Sequence, residues 1–264
     1  MGELRKRFFS ALVIGPLVVV LFLFLPVKLF LGFIGCVLVL AAYEFSSMAQ
    51  AANREVITAL AALTLVPLYF GLSMYPVWLL LSPAAYLVFR MAARSREELS
   101  AIREIGTSVA VLVLAEVFLA LPLFFLYRLR EIDRLAPLVL VLAIWASDTG
   151  AYLIGRSAGR HKLAPLISPK KTYEGLLGAL AGAVLLTLAF RGVLGLSAVA
   201  SVGMGLIVGL LGQLGDVLES VAKRFCAVKD SSRLIPGHGG LLDRLDSFIL
   251  AAPFVYYYLS GFRV

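Results

Sequence analysis

The chain has 264 residues, of which 61% are hydrophobic and only 15% charged, with a mean hydropathy of +0.96 and a net charge of +8. This composition excludes an ordinary soluble domain and points to an integral membrane protein. It also argues against a nucleic-acid binder, because the cations are spread over loops with no basic helix and no aromatic stacking platform; the positive balance fits membrane orientation, anionic headgroups or an anionic substrate.

The opening Met1-Gly-Glu-Leu-Arg5-Lys6-Arg7 precedes an apolar run from Phe8 to Leu25. That run is long enough to span and no small-x-small cleavage site follows, so it reads as an uncleaved first span. Further spanning runs fall at 29–49, 56–73, 77–93, 105–127, 135–155, 173–190, 199–218 and 247–262. The sequence therefore predicts an all-α fold, a polytopic integral membrane bundle of about nine transmembrane helices. One domain covers 1–264, with mostly structural spans over 1–134 and the chemistry over 135–264. Pro67, Pro76 and Pro83 interrupt the third and fourth runs. Cys36 and Cys226 give no disulfide framework and read as small packing residues.

Counting loop cations sets the orientation. With the N-terminus inside, the inner segments carry 18 of the 24 Lys and Arg residues and the outer segments six. The expectation is a multi-pass protein of the cell's inner membrane, with the N-terminus and the active site facing the cytoplasm and the C-terminus outside. One stretch dissents, 128–134 with Arg128, Arg130 and Arg134.

Acids inside spans need an explanation, because charge in hydrocarbon is costly. Glu44, Asp148, Asp216 and Glu219 fall toward the inner half, and Glu116 falls in mid-span. Each either takes part in chemistry, pairs with a loop arginine or caps a cavity in the bundle. The eighth run carries Gly205-x-x-x-Gly209 and the seventh Gly178-x-x-x-Gly182. Both motifs allow close helix approach, inside the bundle or in a homodimer seam.

Two inner loops stand out. Ser168-Pro-Lys170-Lys171-Thr-Tyr-Glu174-Gly opens the seventh helix, so its lysines sit where helix N–H groups favour an anion, or else act as positive-inside anchors. Ser220 to Asp246 is a polar island with Lys223, Arg224, Lys229, Arg233 and Arg244 against Asp230, Asp243 and Asp246. Carboxylates without a His/Cys cluster suit a hard cation such as Mg²⁺ rather than zinc, and Asp216, Asp243 and Asp246 make such a set. Pro236-Gly-His238-Gly239-Gly240 is by itself an ordinary turn; beside Lys223, Arg224, Lys229 and Arg244 it fits a backbone cradle for phosphate. The chain contains no Gly-x-x-x-x-Gly-Lys-Ser/Thr loop.

The island resembles the signature of the phosphatidate cytidylyltransferases, the CDP-diacylglycerol synthases. It is filled by Ser220, Lys223, Arg224, Lys229, Asp230, Ser232, Ile235, Pro236, His238, Gly239, Gly240, Asp243, Arg244 and Asp246 without departure. Asp148 in the sixth run and the Ser168–Gly175 loop look like further family features, whereas the apolar N-terminal half offers only a general likeness. The resemblance implies transfer of CMP from CTP to phosphatidate with Mg²⁺ as cofactor. On that reading Asp216 and Asp243 hold the metal, and Asp246 and Asp148 support it or hold a second cation. Lys170, Lys171, Ser220, Lys223, Arg224, Lys229, Asp230, Gly239, Gly240 and Arg244 bind the substrates, and His238 acts at a phosphate. The acyl chains enter through a lateral opening whose helices the sequence does not identify. Alternatives are the same transfer to another lipid phosphate and a cation-coupled transporter, although no inverted repeat with paired broken helices is present.

Overall fold

The apolar runs fold as helices in the predicted order. A computed structural model describes residues 15–93, 99–232, 234 and 239–262. The helices are α1 (Gly15–Phe24), α2 (Val27–Met48), α3 (Arg54–Leu63), α4 (Leu65–Phe70), α5 (Tyr75–Ala93), α6 (Leu99–Ala115), α7 (Leu121–Ile132), α8 (Ala136–Ala158), α9 (Tyr173–Ala189), α10 (Ala198–Phe225) and α11 (Phe248–Ser260). Among the described residues, five stretches are long and apolar enough to cross a membrane: α2, Leu72–Ala93, Ala101–Ile132, α8 and α10. The shorter apolar helices α1, α9 and α11 and the α3–α4 pair fill the remaining predicted runs.

The third run breaks for a local reason. Pro67 has no N–H to give the Leu63 carbonyl, and α3 ends at that residue. Thr64 between the two helices meets the buried Glu116 at 3.2 Å. Glu116 also accepts from Trp78 Nε1 (3.0 Å) and Ser82 Oγ (2.9 Å). It opens a π-helical turn, Glu116–Ala120, that joins α6 to α7. The mid-span acid is thus explained as a polar knot tying α4, α5 and the π turn together, with its oxygens satisfied by neutral donors.

Arg128, Arg130 and Arg134 also have partners within the chain. Pro26 cannot donate to the Phe22 carbonyl at the end of α1, and Arg130 supplies that bond. Arg130 further donates to the carbonyls of Leu25 (2.7 Å) and Arg134 (2.8 Å), and Arg134 Nε to Leu23 O (2.7 Å). Arg128 pairs with Glu131 at 3.2 Å and donates to Tyr256 Oη at 2.9 Å. Cations at a helix C-terminus are favoured by the dipole, so this cluster follows from capping α1. Arg130→Ala is expected to strand the buried Phe22 carbonyl at about 1–3 kcal/mol and to free the part-buried Leu25 carbonyl. The thermal midpoint in detergent should fall clearly; a variant melting with the wild type would show that those carbonyls find other donors.

Both small-residue motifs serve packing within the chain. A Cβ on Gly178 would overlap the Gly150 carbonyl of α8, and one on Gly205 would lie 2.5 Å from Val184 Cα of α9. α8, α9 and α10 therefore pack as a tight trio. At one end of this trio the chain forms a small antiparallel ribbon, β1 (Lys162–Ala164) and β2 (Ser168–Thr172). The sequence predicted a plain loop there; the residues instead pair, and Thr172 Oγ1 then caps α9 by accepting from Gly175 N at 3.0 Å. Glu174 fastens the ribbon by accepting from the main-chain N–H groups of Arg160 (3.1 Å) and His161 (3.2 Å). The C-terminal ends of α2, α8 and α10, the N-terminal ends of α9 and α11, and the ribbon all meet at this end of the bundle.

Candidate active site

Helix α10 carries the centre of the site. Asp216, Glu219 and Lys223 follow at i, i+3 and i+7, so their side chains stack along one side of the helix. Asp246, just before α11, joins the first two: one carboxylate oxygen from each of Asp216, Glu219 and Asp246 lies within 4.8 Å of the others. At that separation two ionised carboxylates repel by about 3 kcal/mol at an effective dielectric near 20. Three such pairs cannot all stay charged without protons or a cation. Removal from water and then the Asp216 and Glu219 carboxylates push Asp246 well above the ordinary value of 3.8. Glu219 Oε1 is buried with no hydrogen-bond partner. An orphaned carboxylate oxygen inside an all-oxygen donor set fits a hard divalent cation, Mg²⁺ before zinc.

Beside the triad a cleft of about 310 Å³ opens between α8, β2 and α10, lined by Asp148, Lys170, Lys171, Gln213 and Asp216 among others. Lys171 Nζ is 2.7 Å from Asp216 Oδ2 and donates to the Gln213 carbonyl (3.0 Å) and Oε1 (3.2 Å). Gln213 Nε2 in turn donates to Asp148 Oδ1 at 3.1 Å. The chain Asp148–Gln213–Lys171–Asp216 fixes a cation and a carboxylate on the cleft wall, while the exposed Lys170 adds a second positive charge. Ser220 Oγ approaches Asp216 Oδ1 at 3.5 Å.

The third part is the segment after α10. Lys223 Nζ bridges Glu219 Oε2 (2.9 Å) and Asp243 Oδ1 (2.6 Å). Asp243 Oδ2 accepts from Gly240 N (2.8 Å), Ser231 N (3.1 Å) and Ser231 Oγ (3.0 Å). Burial raises Asp243, but Lys223 and those N–H donors outweigh it and hold the carboxyl below its ordinary 3.8. Gly239 has φ +84°, and a Cβ there would sit 2.5 Å from Asp243 Oδ2, so the fold needs glycine at this position. Beneath the loop lies Glu44 of α2. Its Oε1 accepts from Leu241 N (3.1 Å) and the Ser232 hydroxyl; Oε2 accepts from Leu242 N (2.8 Å) and Ser231 Oγ (3.3 Å).

The structure thus brings Asp148, Lys171, Asp216, Ser220, Lys223, Gly239, Gly240, Asp243 and Asp246 to one end of the bundle. Arg224 there donates to Ile167 O (3.4 Å) of the ribbon and Val228 O (3.3 Å). Lys229, Asp230 and Arg244 are exposed on the same segment. His238 lies outside the described residues. Of the pair predicted to hold metal, Asp216 joins the triad, whereas both oxygens of Asp243 are engaged by Lys223, Ser231 and Gly240. Sequence reasoning left Glu219 and Glu44 outside the site. Their one signal was that both are span acids toward the same end of the bundle.

A sequence model of the Cytidylyltransferase family matches residues 5–262. The chain is 34% identical over 205 residues to the phosphatidate cytidylyltransferase of Bacillus subtilis (strain 168), covering 70% of this chain and 76% of that protein. It is 41% identical over 146 residues to the phosphatidate cytidylyltransferase of Staphylococcus aureus (strain COL), covering 54% and 56% of the two chains. Against the Synechocystis protein of the same name it is 46% identical over 132 residues, covering 46% and 43%. The chain thus spans about half the length of these last two relatives.

Proposed function

The chain belongs to the cytidylyltransferase family, and from that premise we propose that it transfers CMP from CTP to phosphatidate, releasing pyrophosphate and CDP-diacylglycerol. The observation that carries this reading is the junction at Asp216, where a cation-lined polar cleft meets a buried carboxylate triad in a membrane bundle. In the reaction an oxygen of the lipid phosphate attacks the α-phosphorus of CTP. A P–O bond forms there, the bond to the β-phosphate oxygen breaks, and its electron pair leaves with pyrophosphate. The nucleophile belongs to the substrate, so the protein's work is alignment and charge compensation.

Each part of the site has a task in that scheme. Lys170 and Lys171 face the cleft with the N-terminus of α9 behind them and would hold the triphosphate. Lys223, between Glu219 and Asp243, would meet the lipid phosphate. Asp216, Glu219 and Asp246 would hold Mg²⁺, which when bound neutralises phosphate charge. Asp243 would act one step back, ordering Lys223 and the Gly239–Gly240 backbone. We place this end of the bundle at the cytoplasmic face of the inner membrane, where CTP is found and where the loop cations concentrate.

The test is CDP-lipid formation from labelled CTP by the purified protein, with dioleoyl phosphatidate and an ether-linked lipid phosphate as separate acceptors. Mg²⁺-dependent product with phosphatidate is expected, and chelation should abolish it. Product with the ether lipid alone would reassign the acceptor. Absence of product with both would overturn the reaction.

A further inference from the structure

We infer that Glu174 is a positioning residue for the proposed transfer: its carboxylate clamps the base of the β1–β2 ribbon and so sets where Lys170 and Lys171 stand in the cleft. This role rests on the reading that those lysines hold the triphosphate of CTP. Glu174 itself lines neither the cleft nor the triad.

The ribbon cannot fix the lysines by its own pairing. Its strands meet at Lys162 with Thr172 and at Ala164 with Ser168, with the register broken between them. Thr172 is the one buried residue of the two strands. A two-stranded hairpin of this kind is marginal in water, so the position of Lys170 and Lys171 depends on ties outside the ladder. At the tip the tie is weak: Arg224 Nε reaches Ile167 O at 3.4 Å. At the base it is strong. Glu174 Oε2 accepts from Arg160 N (3.1 Å) and His161 N (3.2 Å), and Oε1 meets His161 Nδ1 at 2.6 Å. A carboxylate only accepts, so Nδ1 carries the proton. Three donors ahead of β1 thus converge on one anion, and hydrogen bonds to a charged acceptor are the stronger kind. The local sequence makes this reach possible. Thr172 caps α9, so Gly175 occupies the third helical position, where a capping-box glutamate would turn back on the cap. Glu174 stands one place earlier and is free to cross to the other strand.

The clamp is separable from the core. α8 and α9 are held together further in, where a Cβ on Gly178 or Gly182 would sit 2.4 Å from the carbonyl of Gly150 or Ala146. The hydrogen bonds from Arg160 N and His161 N are exposed, so water replaces a lost carboxylate there at little cost to stability. What is lost is the hold on β2, whose Lys171 lies three residues before Glu174 and 2.7 Å from Asp216 Oδ2. Charge and clamp predict opposite signs. Removing an anion from beside a triphosphate site would relieve repulsion and tighten binding; freeing the lysines weakens it.

The experiment compares purified full-length wild type with E174A, E174Q, H161L and H161N in detergent. Initial rates are measured against CTP and against dioleoyl phosphatidate. CTP binding in Mg²⁺ without lipid is measured by calorimetry, and thermal midpoints are taken alongside. E174A should raise the KM and the Kd for CTP about tenfold, with kcat and the KM for phosphatidate within about twofold of wild type. E174Q keeps an acceptor for the two main-chain N–H groups and should fall between. H161L should raise the same constants about threefold, and H161N, which keeps a side-chain N–H donor, should recover most of that loss. Tighter CTP binding in E174A and E174Q would show that only the charge acts and would overturn the assignment. So would unchanged CTP constants, or a common fall in kcat, both affinities and the thermal midpoint. The binding readout separates the two readings. Weaker CTP binding in E174A with no CDP-lipid from any of the proteins would uphold the clamp and sink the reaction. Wild type that binds no CTP would sink the assignment of the lysines and the clamp with it.

Discussion

Asp216→Asn is expected to lower CMP transfer by about 10²–10³-fold or more, with the protein still folded in detergent. Asp216 is the residue that the cleft and the triad share. It pairs with Lys171 at 2.7 Å on one side and approaches Glu219 and Asp246 on the other. The neutral amide would remove one of three charges that make the triad a cation site and release Lys171 from its place. Asp246→Asn and Asp243→Asn then separate two arrangements of the metal. Asp246→Asn should raise the Mg²⁺ concentration needed for half-maximal rate. Asp243→Asn should lower the rate with a smaller Mg²⁺ shift, because Asp243 is committed to Lys223, Ser231 and Gly240. A larger Mg²⁺ shift in Asp243→Asn would return the metal to the Asp216–Asp243 pair. Full activity in Asp216→Asn would remove the centre of the proposed mechanism.

Spans and motif were legible in the sequence because each rests on a local signal. Apolar length marks a helix, and Lys223, Gly239, Gly240 and Asp243 stand at fixed spacing within one segment. What stayed hidden depends on which helix lies against which. Glu44 and Gly240 are almost 200 positions apart, and no pattern in the chain announces that the carboxylate supports the loop. The GxxxG motifs could equally have faced a second copy; the placement of Gly178 against Gly150 and of Gly205 against Val184 assigns them to the interior. The 168–172 ribbon was missed because its five residues, with a proline and two lysines, carry no alternating pattern and pair with only three others. Arg130 read only as a loop cation, because its hydrogen bond to Leu25 O at the end of α1 reaches across 105 positions.

Glu44→Ala should cripple the enzyme without touching either substrate. In the wild type one carboxylate accepts from two main-chain N–H groups, Leu241 and Leu242, and from the hydroxyls of Ser231 and Ser232. Removing it leaves those donors in a pocket where Glu44 itself is only 6% exposed. The two backbone groups alone would cost about 2–6 kcal/mol if nothing replaced their partner, more than a loop of this size can absorb without rearranging. The 231–242 segment would then lose its register against Asp243, and Lys223 its position. Turnover is expected to fall about 10²-fold at saturating CTP, together with the thermal midpoint. The Mg²⁺ dependence of the residual activity should be unchanged, because Glu44 is not one of the triad. Glu44→Gln should lie between, since the amide keeps one acceptor oxygen and turns an N–H₂ toward the donors on the other side. That ordering, with kcat falling and the Mg²⁺ requirement constant, distinguishes a residue that positions the loop from one that binds metal. Wild-type kcat in Glu44→Ala would show that the loop holds its shape without α2.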